Sequence, residues 1–199
     1  MRKYMIFPLL LCWFALLASG CGSSSSGGAE YFDTVLVTVS SEQPSLDSDI
    51  QVWMDSNNDN ICDRSIIKPD SISVQIKSQV LSNKNKTLPA SDIRIESVRI
   101  DYTPADSGTP ALDSQFLALG QIIEPDEEVK IDVKVMSQAQ KINYPLARLL
   151  RRSVSDIYKY HTKLTFNCIE ILSDRETDLT TSLSIDVADF VSDEETCHF

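Results

Sequence analysis

Residues 72–80 read Ile-Ser-Val-Gln-Ile-Lys-Ser-Gln-Val, in which apolar and polar residues largely alternate. Successive side chains of a β-strand point to opposite faces, so a period of two predicts a strand with one face in a core and the other in water. The predicted inward residues are Ile72, Val74, Ile76 and Val80, and the predicted outward residues are Gln75, Lys77 and Gln79.

Six further segments carry the same alternation and are predicted as strands. In chain order they are Thr34 to Ser40, Ile93 to Tyr102, Phe116 to Ile123, Val129 to Val135, Tyr160 to Cys168, and Leu179 to Val187. Within Ile93 to Tyr102 the phase changes, because Ile93 and Ile95 share one face whereas Val98, Ile100 and Tyr102 share the next register. One extra residue near Glu96-Ser97 would produce that change, so we expect a β-bulge there.

About seven short strands bounded by Pro, Asp and Ser predict a mainly β fold, a two-sheet antiparallel sandwich. This strand count and spacing resemble the immunoglobulin or fibronectin type III fold over residues 30–199, which we treat as a single domain. The chain is longer than the roughly 100 residues of such a sandwich. Two insertions, Ser41 to Asp70 and Ser137 to Lys159, account for the excess.

The second insertion contains the predicted helix. After Pro145, which suits a first helical turn, apolar residues recur at helical spacing. We expect this helix to cover one open end of the sandwich. The alternative is a basic docking site for a partner or for anionic lipids, formed by its arginines. The apolar positions are Leu146, Leu149, Leu150, Val154 and Ile157, and the basic ones are Arg148, Arg151 and Arg152.

The N-terminus has the pattern of a secretory signal peptide. Arg2 and Lys3 precede an apolar run over residues 5–18 that is shorter than the roughly 20 residues that a transmembrane helix needs. Small residues then lead into Cys21. The alternative is an ordinary signal peptide that is cleaved near Gly20.

The small residues before Cys21 resemble the lipobox of bacterial lipoproteins, although Ala18 stands where that motif usually has Leu. The resemblance implies that residues 1–20 are removed and that Cys21 is acylated, with palmitate among the usual chains. Residues 21–29 then form a Ser/Gly tether. In Gram-negative lipoproteins an Asp after the Cys favours the inner membrane. Position 22 is Gly, so the resemblance implies an outer-membrane lipoprotein that faces the periplasm or the surface.

Composition excludes several functions. The chain has 18 Lys+Arg against 29 Asp+Glu, a formal net charge of −11, which argues against a nucleic-acid partner because phosphates require a basic face. After the tether only Gly108 and Gly120 remain, so no Gly-rich phosphate loop or nucleophile elbow can form. His161, on the predicted outward face of its strand, and His198, in the tail, have no sequence neighbour that would complete a nucleophile–base pair. We therefore expect no enzyme activity.

The cysteines fit an oxidising compartment. Once Cys12 leaves with the signal peptide and Cys21 takes the lipid, three cysteines remain. Cys168 falls on the inward face of its strand, so we expect a buried free thiol. By elimination Cys62 pairs with Cys197, and the alternative is three free thiols.

Residues 55–63 form the one motif with metal chemistry. Asp55, Asn57 and Asp59 alternate, the carbonyl of Ile61 follows, and Asp63 takes the ninth position. The spacing resembles the calcium loops of thrombospondin type 3 repeats, which implies a structural Ca²⁺ site with oxygen ligands. Asn60 replaces the usual Gly, and Ile66 replaces the final Glu of an EF-hand. The alternative is an Asn/Asp-rich surface turn.

Two functions remain open. The first is a non-enzymatic envelope lipoprotein, anchored to the membrane by its N-terminal lipid, that binds a protein or glycan partner or serves a structural assembly. The second is a lipoprotein hydrolase whose carboxylates come together only in the folded chain.

Overall fold

The alternating segments become the strands of a β-sandwich in the computed structural model, which describes residues 27–57, 59, 61–81, 89–150 and 156–190. The fold is mainly β. In chain order the elements are β1 (Gly28–Tyr31), β2 (Val35–Ser41), β3 (Ser45–Asp49), β4 (Val52–Met54), β5 (Arg64–Ile66), β6 (Asp70–Val80), β7 (Ile93–Pro104), β8 (Gln115–Ile123), β9 (Glu128–Met136), α1 (Gln138–Ile142), a 3-10 helix (Leu146–Leu150), β10 (Tyr158–Glu170) and β11 (Arg175–Ala188).

Two sheets form the sandwich. One has the order β1-β2-β6-β9 and the other the order β3-β11-β10-β7-β8, while β4 and β5 make a separate ribbon. The pairs are antiparallel except for β3, which lies parallel to β11. All seven predicted strands are confirmed. β1, β3, β4 and β5 are additional, and the last three come from the first insertion.

The core lies between the sheets and is built from the predicted inward faces. The predicted inward residues of β2, β7, β10 and β11 belong to one buried cluster, as do Ile72, Val74 and Ile76 of β6. Val80, also predicted to face inward, is only partly buried at the end of β6 and lies outside this cluster. Leu164, Phe166 and Cys168 on β10 are all 0% exposed, while His161 and Lys163 on the opposite face are exposed. Each fully buried large apolar side chain contributes about 1.5–3 kcal/mol relative to an exposed one, so the phase of each strand decides the fold.

The predicted bulge in β7 is confirmed. The register of β7 shifts between Ile95 and Ser97 against β8, and at the same point against β10. On β8 the matching irregularity contains Gly120, whose φ of 69° lies in the left-handed region that suits glycine. Ile95 and Val98 can therefore both be buried although they are three residues apart.

The predicted helix after Pro145 is wrong at its far end. Among the residues that the structure describes after Pro145, helical backbone covers Leu146–Leu150, as a 3-10 helix, with Leu146 and Leu149 buried. Ile157 is not helical and is 45% exposed, because the chain must already be extended to enter β10 at Tyr158. Arg148 is exposed. Arg151, Arg152 and Val154 lie outside the described residues.

A short α-helix that the sequence analysis missed precedes this segment. Helix α1 begins with a capping box, in which the Ser137 hydroxyl accepts a hydrogen bond from the Gln140 N–H and the Gln140 side chain accepts one from the Ser137 N–H. Such reciprocal bonds satisfy N–H groups that a helix start leaves unpaired. With only five residues, α1 depends on tertiary contacts for its position.

Candidate functional site

A surface groove of about 620 Å³ lies between the loop that leads into β8 and the chain around α1. Residues 110–115 form one wall, and residues 139, 140 and 143–145 form the other. The two walls come from distant parts of the chain, which is why sequence reasoning missed the groove. Concave surfaces with a few fixed polar groups are the usual location of ligand sites.

A hydrogen-bond network joins the two walls. Gln115 Nε2 donates to Gln140 Oε1 over 2.6 Å, and it also donates to the Tyr102 hydroxyl, which in turn donates to the carbonyl of Val135. Burial raises the pKa of the Tyr102 hydroxyl, and the bonds with Gln140 and Gln115 oppose that rise. Tyr102 therefore stays neutral and donates a hydrogen bond to the Val135 carbonyl, so the network connects both walls to the sandwich.

A buried ion pair fixes the second wall. Lys141 on α1 is 1% exposed, and its Nζ lies 2.8 Å from Asp70 Oδ2 and donates to the carbonyl of Asp49 over 2.5 Å. The Ser48 hydroxyl donates to the same Asp70 oxygen. A buried charge requires such partners, so Lys141 ties α1 to the first insertion and to β6. The polar run around Lys141 gave no sign in the sequence that this lysine would be buried.

The lining of the groove is mostly apolar, with a few polar side chains and one exposed aromatic ring. Tyr144 at its rim is 81% exposed. Gln115, Gln140 and Asn143 supply amides, and among the described lining residues Asp113 alone is charged. Amides can both donate and accept hydrogen bonds, while an exposed aromatic ring offers a flat apolar surface with a polar tip. This arrangement suits a neutral ligand that has hydroxyl groups and flat apolar faces.

The predicted calcium loop joins β4 to β5, and its described side chains bond to its own backbone. Asp55 accepts from the Asn57 N–H, Asn57 from the Asp59 N–H, and Asp59 from the Ile61 N–H, over 3.0, 3.1 and 2.9 Å. These are successive Asx turns, the usual conformation of Asn/Asp-rich loops. The described part of the loop therefore has the hydrogen bonding of an Asn/Asp-rich surface turn, which is the alternative to a calcium site. Asn58 and Asn60 lie outside the described residues.

Asp63 closes this loop at its base. Its carboxylate accepts from the Ser56 N–H over 2.8 Å and from the Ser56 hydroxyl over 2.5 Å, and both bonds lower the pKa of Asp63. Within the part of the chain that the structure describes, no three acidic, His or Cys side chains form a metal-binding group. Of the five residues predicted as ligands, Asp63 is the one that is bonded to Ser56.

One buried carboxylate joins distant parts of the fold by hydrogen bonds. Glu170 at the end of β10 is 0% exposed and accepts hydrogen bonds from the Thr34 hydroxyl, the Thr34 and Asp33 N–H groups, and the Ser173 hydroxyl. Burial alone would raise the pKa of Glu170, but these bonds outweigh it and hold the pKa below the usual 4.5. The bonds stabilise the fold above about pH 4.5, and this stabilisation is lost as the pH falls through the lowered pKa.

The prediction for Cys168 is confirmed, since it is a buried free thiol. Burial is the larger cause, and the charge of Asp178 the smaller, that raises the pKa of Cys168 to about 12. Cys62 is disulfide-bonded. Its predicted partner Cys197 lies outside the described residues, so the pairing stays a prediction.

Two other predicted features also lie outside the described residues, namely the lipidation site Cys21 and the tail histidine His198. Where the structure does describe the chain, it contains no helix long and apolar enough to cross a membrane. Comparison with known proteins adds no relative, since no protein-family model matches the chain and no curated protein matches it.

Proposed function

We propose that this protein is a non-enzymatic binding module of the bacterial envelope, an immunoglobulin-like sandwich that a lipid on Cys21 holds at the outer membrane. The feature that supports binding most strongly is the groove beside α1. Its walls are fixed by the Gln115–Gln140 bond and by the buried Lys141. A rigid groove binds with little ordering cost. The apolar start of the chain and the small residues before Cys21 support the anchor.

A glycan chain is the ligand that best fits the lining. Sugars present apolar C–H faces that stack on an aromatic ring such as Tyr144, and their hydroxyl groups pair with side-chain amides such as those of Gln140 and Asn143. Asp113 adds one strong acceptor. With no basic residue among the described lining residues, the groove has nothing to neutralise a phosphate or a carboxylate, so a neutral saccharide is favoured over an acidic ligand.

Tyr144→Ala should weaken glycan binding about tenfold or more, because it removes the stacking surface and a tenfold change needs only about 1.4 kcal/mol. Affinity electrophoresis in gels that contain soluble neutral polysaccharides measures the effect as lost retardation. Tyr31→Ala is the matched control, since Tyr31 is an exposed tyrosine at 62% on β1, away from the groove. A wild-type protein that no polysaccharide retards, or equal retardation of all three proteins, would contradict the glycan proposal.

Cys21→Ser should release the protein from the membrane. An acyl chain contributes about 0.8 kcal/mol per buried CH₂ group, and stable anchoring usually takes more than one chain. Membrane fractionation together with intact-mass measurement of the extracted protein tests this. The wild type should carry the added mass of acyl chains on a chain that begins at Cys21. A mature chain that begins elsewhere and carries no lipid would contradict the anchor without affecting the groove.

We also propose that the loop between β4 and β5 binds Ca²⁺ weakly, with an affinity in the range of extracellular modules, about 10⁻⁴–10⁻³ M. The alternating oxygens of Asp55, Asn57 and Asp59, the carbonyl of Ile61, and Asp63 support this proposal. Such an affinity suits a compartment rich in Ca²⁺. The ion would stabilise the fold and take no part in catalysis.

Millimolar Ca²⁺ should therefore raise the melting temperature relative to chelator, because a cation that binds only the folded state stabilises it. The double variant Asp55→Ala with Asp59→Ala should lose this rise. The control Glu128→Ala with Asp132→Ala removes two exposed acids from β9 and should keep it. Calorimetry measures these melting temperatures. If the wild type melted at the same temperature with Ca²⁺ and with chelator, the calcium proposal would be wrong and the loop would be an ordinary surface turn.

A further inference from the structure

The hydrogen-bond network between the groove walls fixes which way the Gln115 amide faces. Two groups in this network have a fixed role, because the Ser137 N–H can only donate and the Val135 carbonyl can only accept. The Ser137 N–H donates to Gln140 Oε1 over 2.9 Å, and the Tyr102 hydroxyl donates its proton to the Val135 carbonyl. Gln140 Oε1 and the Tyr102 oxygen are therefore both acceptors toward Gln115.

Only the nitrogen of the Gln115 amide can face these acceptors. Nε2 lies 2.6 Å from Gln140 Oε1 and 3.5 Å from the Val135 carbonyl oxygen, and it also donates to the Tyr102 hydroxyl. A reversed amide would place Oε1 against acceptors and lose these bonds. Among the described residues none donates to Oε1, and Gln115 is only partly buried. Oε1 is therefore what this amide offers to a ligand in the groove that Gln115 lines.

The two residues before Gln115 also line the groove and add acceptors to the same wall. Ser114 donates its hydroxyl proton to Asp101 Oδ1 over 2.6 Å. That bond is the largest cause of the lowered pKa of Asp101, so Asp101 stays an ionised acceptor and the Ser114 oxygen can itself only accept. The Asp113 carboxylate is exposed and, when ionised, accepts as well. We call residues 113–115 the acceptor wall, because their side chains present acceptors only.

We propose that the acceptor wall selects saccharides by their free hydroxyl groups, and that Gln115 is a specificity-determining residue of the groove. This inference rests on the proposed function, since it concerns the same groove. A free sugar hydroxyl can donate to the wall, whereas an O-alkylated position has no proton to donate. Such a position displaces water from an acceptor without replacing its hydrogen bond, and an acceptor left unpaired in this way costs binding free energy. The wall therefore accepts an unsubstituted sugar edge and rejects an alkylated one.

Affinity electrophoresis tests the selection in gels that contain dextran, galactomannan or xylan, each before and after partial O-methylation. For a polysaccharide that retards the wild type, methylation should raise the dissociation constant about threefold to tenfold, the range expected for one lost hydrogen bond. Gln115→Met keeps the length of the side chain but has only a weakly accepting sulfur. It should therefore lose most of this discrimination, whatever its effect on overall affinity.

Two further variants separate selection from a general loss of binding. Asp113→Ala removes an acceptor that takes no part in the network between the walls, and it should also reduce the discrimination. Tyr144→Ala is the matched control, because it removes the stacking ring and no acceptor of the wall. It should bind both forms of the polysaccharide more weakly and keep the wild-type ratio of their dissociation constants. Circular dichroism confirms that each variant folds.

Two results would overturn this inference and leave the glycan proposal in place. The first is equal retardation of the wild type by the methylated and the unmethylated polysaccharide. The second is a wild-type ratio in both Gln115→Met and Asp113→Ala, which would mean that the bulk of the methyl groups, rather than the missing proton, prevents binding. A wild type that none of the polysaccharides retards is a different result, since it would contradict the glycan proposal and this inference with it.

Discussion

Phe166→Asp is expected to unfold the domain, whereas Lys163→Asp is expected to leave its melting temperature nearly unchanged. Both residues lie on β10, at opposite phases. Phe166 is 0% exposed and lies between Leu179 of β11 and Val98 of β7, so a carboxylate there would be buried without a partner. That costs several kcal/mol, which is comparable to the total stability of about 5–15 kcal/mol.

Leu164→Asp provides the second test of the same strand phase, because Leu164 is also 0% exposed and lies one residue from Lys163. Thermal melting, monitored by circular dichroism, compares the three variants. A Lys163→Asp protein less stable than Leu164→Asp and Phe166→Asp would mean that β10 faces the other way, and the assignment of the core would then be wrong.

Lys141→Met should destabilise the fold by about 3–5 kcal/mol, because it leaves Asp70 without its buried counter-charge. The side chain of Asp70 is 19% exposed, so water can only partly replace the ammonium group. Urea denaturation gives the change in the free energy of unfolding. Lys134→Met, at an exposed position of β9, is the matched control and should change it by less than about 0.5 kcal/mol.

The double variant Lys141→Met with Asp70→Asn separates the charge from the packing. Asn removes the uncompensated charge and can still accept the hydrogen bond from Ser48, so the double variant should be more stable than Lys141→Met alone. If Lys141→Met cost no more than Lys134→Met, the ion pair would not be what holds α1 against the sandwich. In that case the rigidity of the groove would need another explanation.

Seven strands and the β7 bulge could be predicted because, in a half-buried strand, each residue is apolar or polar according to the face on which it lies. Ile93, Ile95, Val98 and Ile100 show both the faces and the place where they exchange. β3 could not be predicted in this way, since Ser45–Asp49 is largely polar and depends on backbone pairing with β11. Backbone pairing of this kind leaves little trace in a sequence.

The groove could not be predicted because no single segment contains it. Gln115 and Gln140 are 25 residues apart along the chain, and their contact depends on the position of α1, which the bonds of Lys141 help to hold. A lysine in a polar segment is usually exposed, so its burial contradicts the usual expectation. The helical spacing of apolar residues wrongly predicted that Ile157 is helical. The chain is instead extended there, because β10 begins at the next residue.

Hydrogen exchange with and without a bound neutral polysaccharide tests the central claim, that this sandwich binds its ligand in the groove beside α1. The account predicts slower exchange of the backbone amides in residues 111–115 and 139–144 when the polysaccharide is present, and unchanged exchange in β1 and β2 of the other sheet. Protection confined to other surfaces, or no protection under conditions in which affinity electrophoresis shows binding, would contradict it.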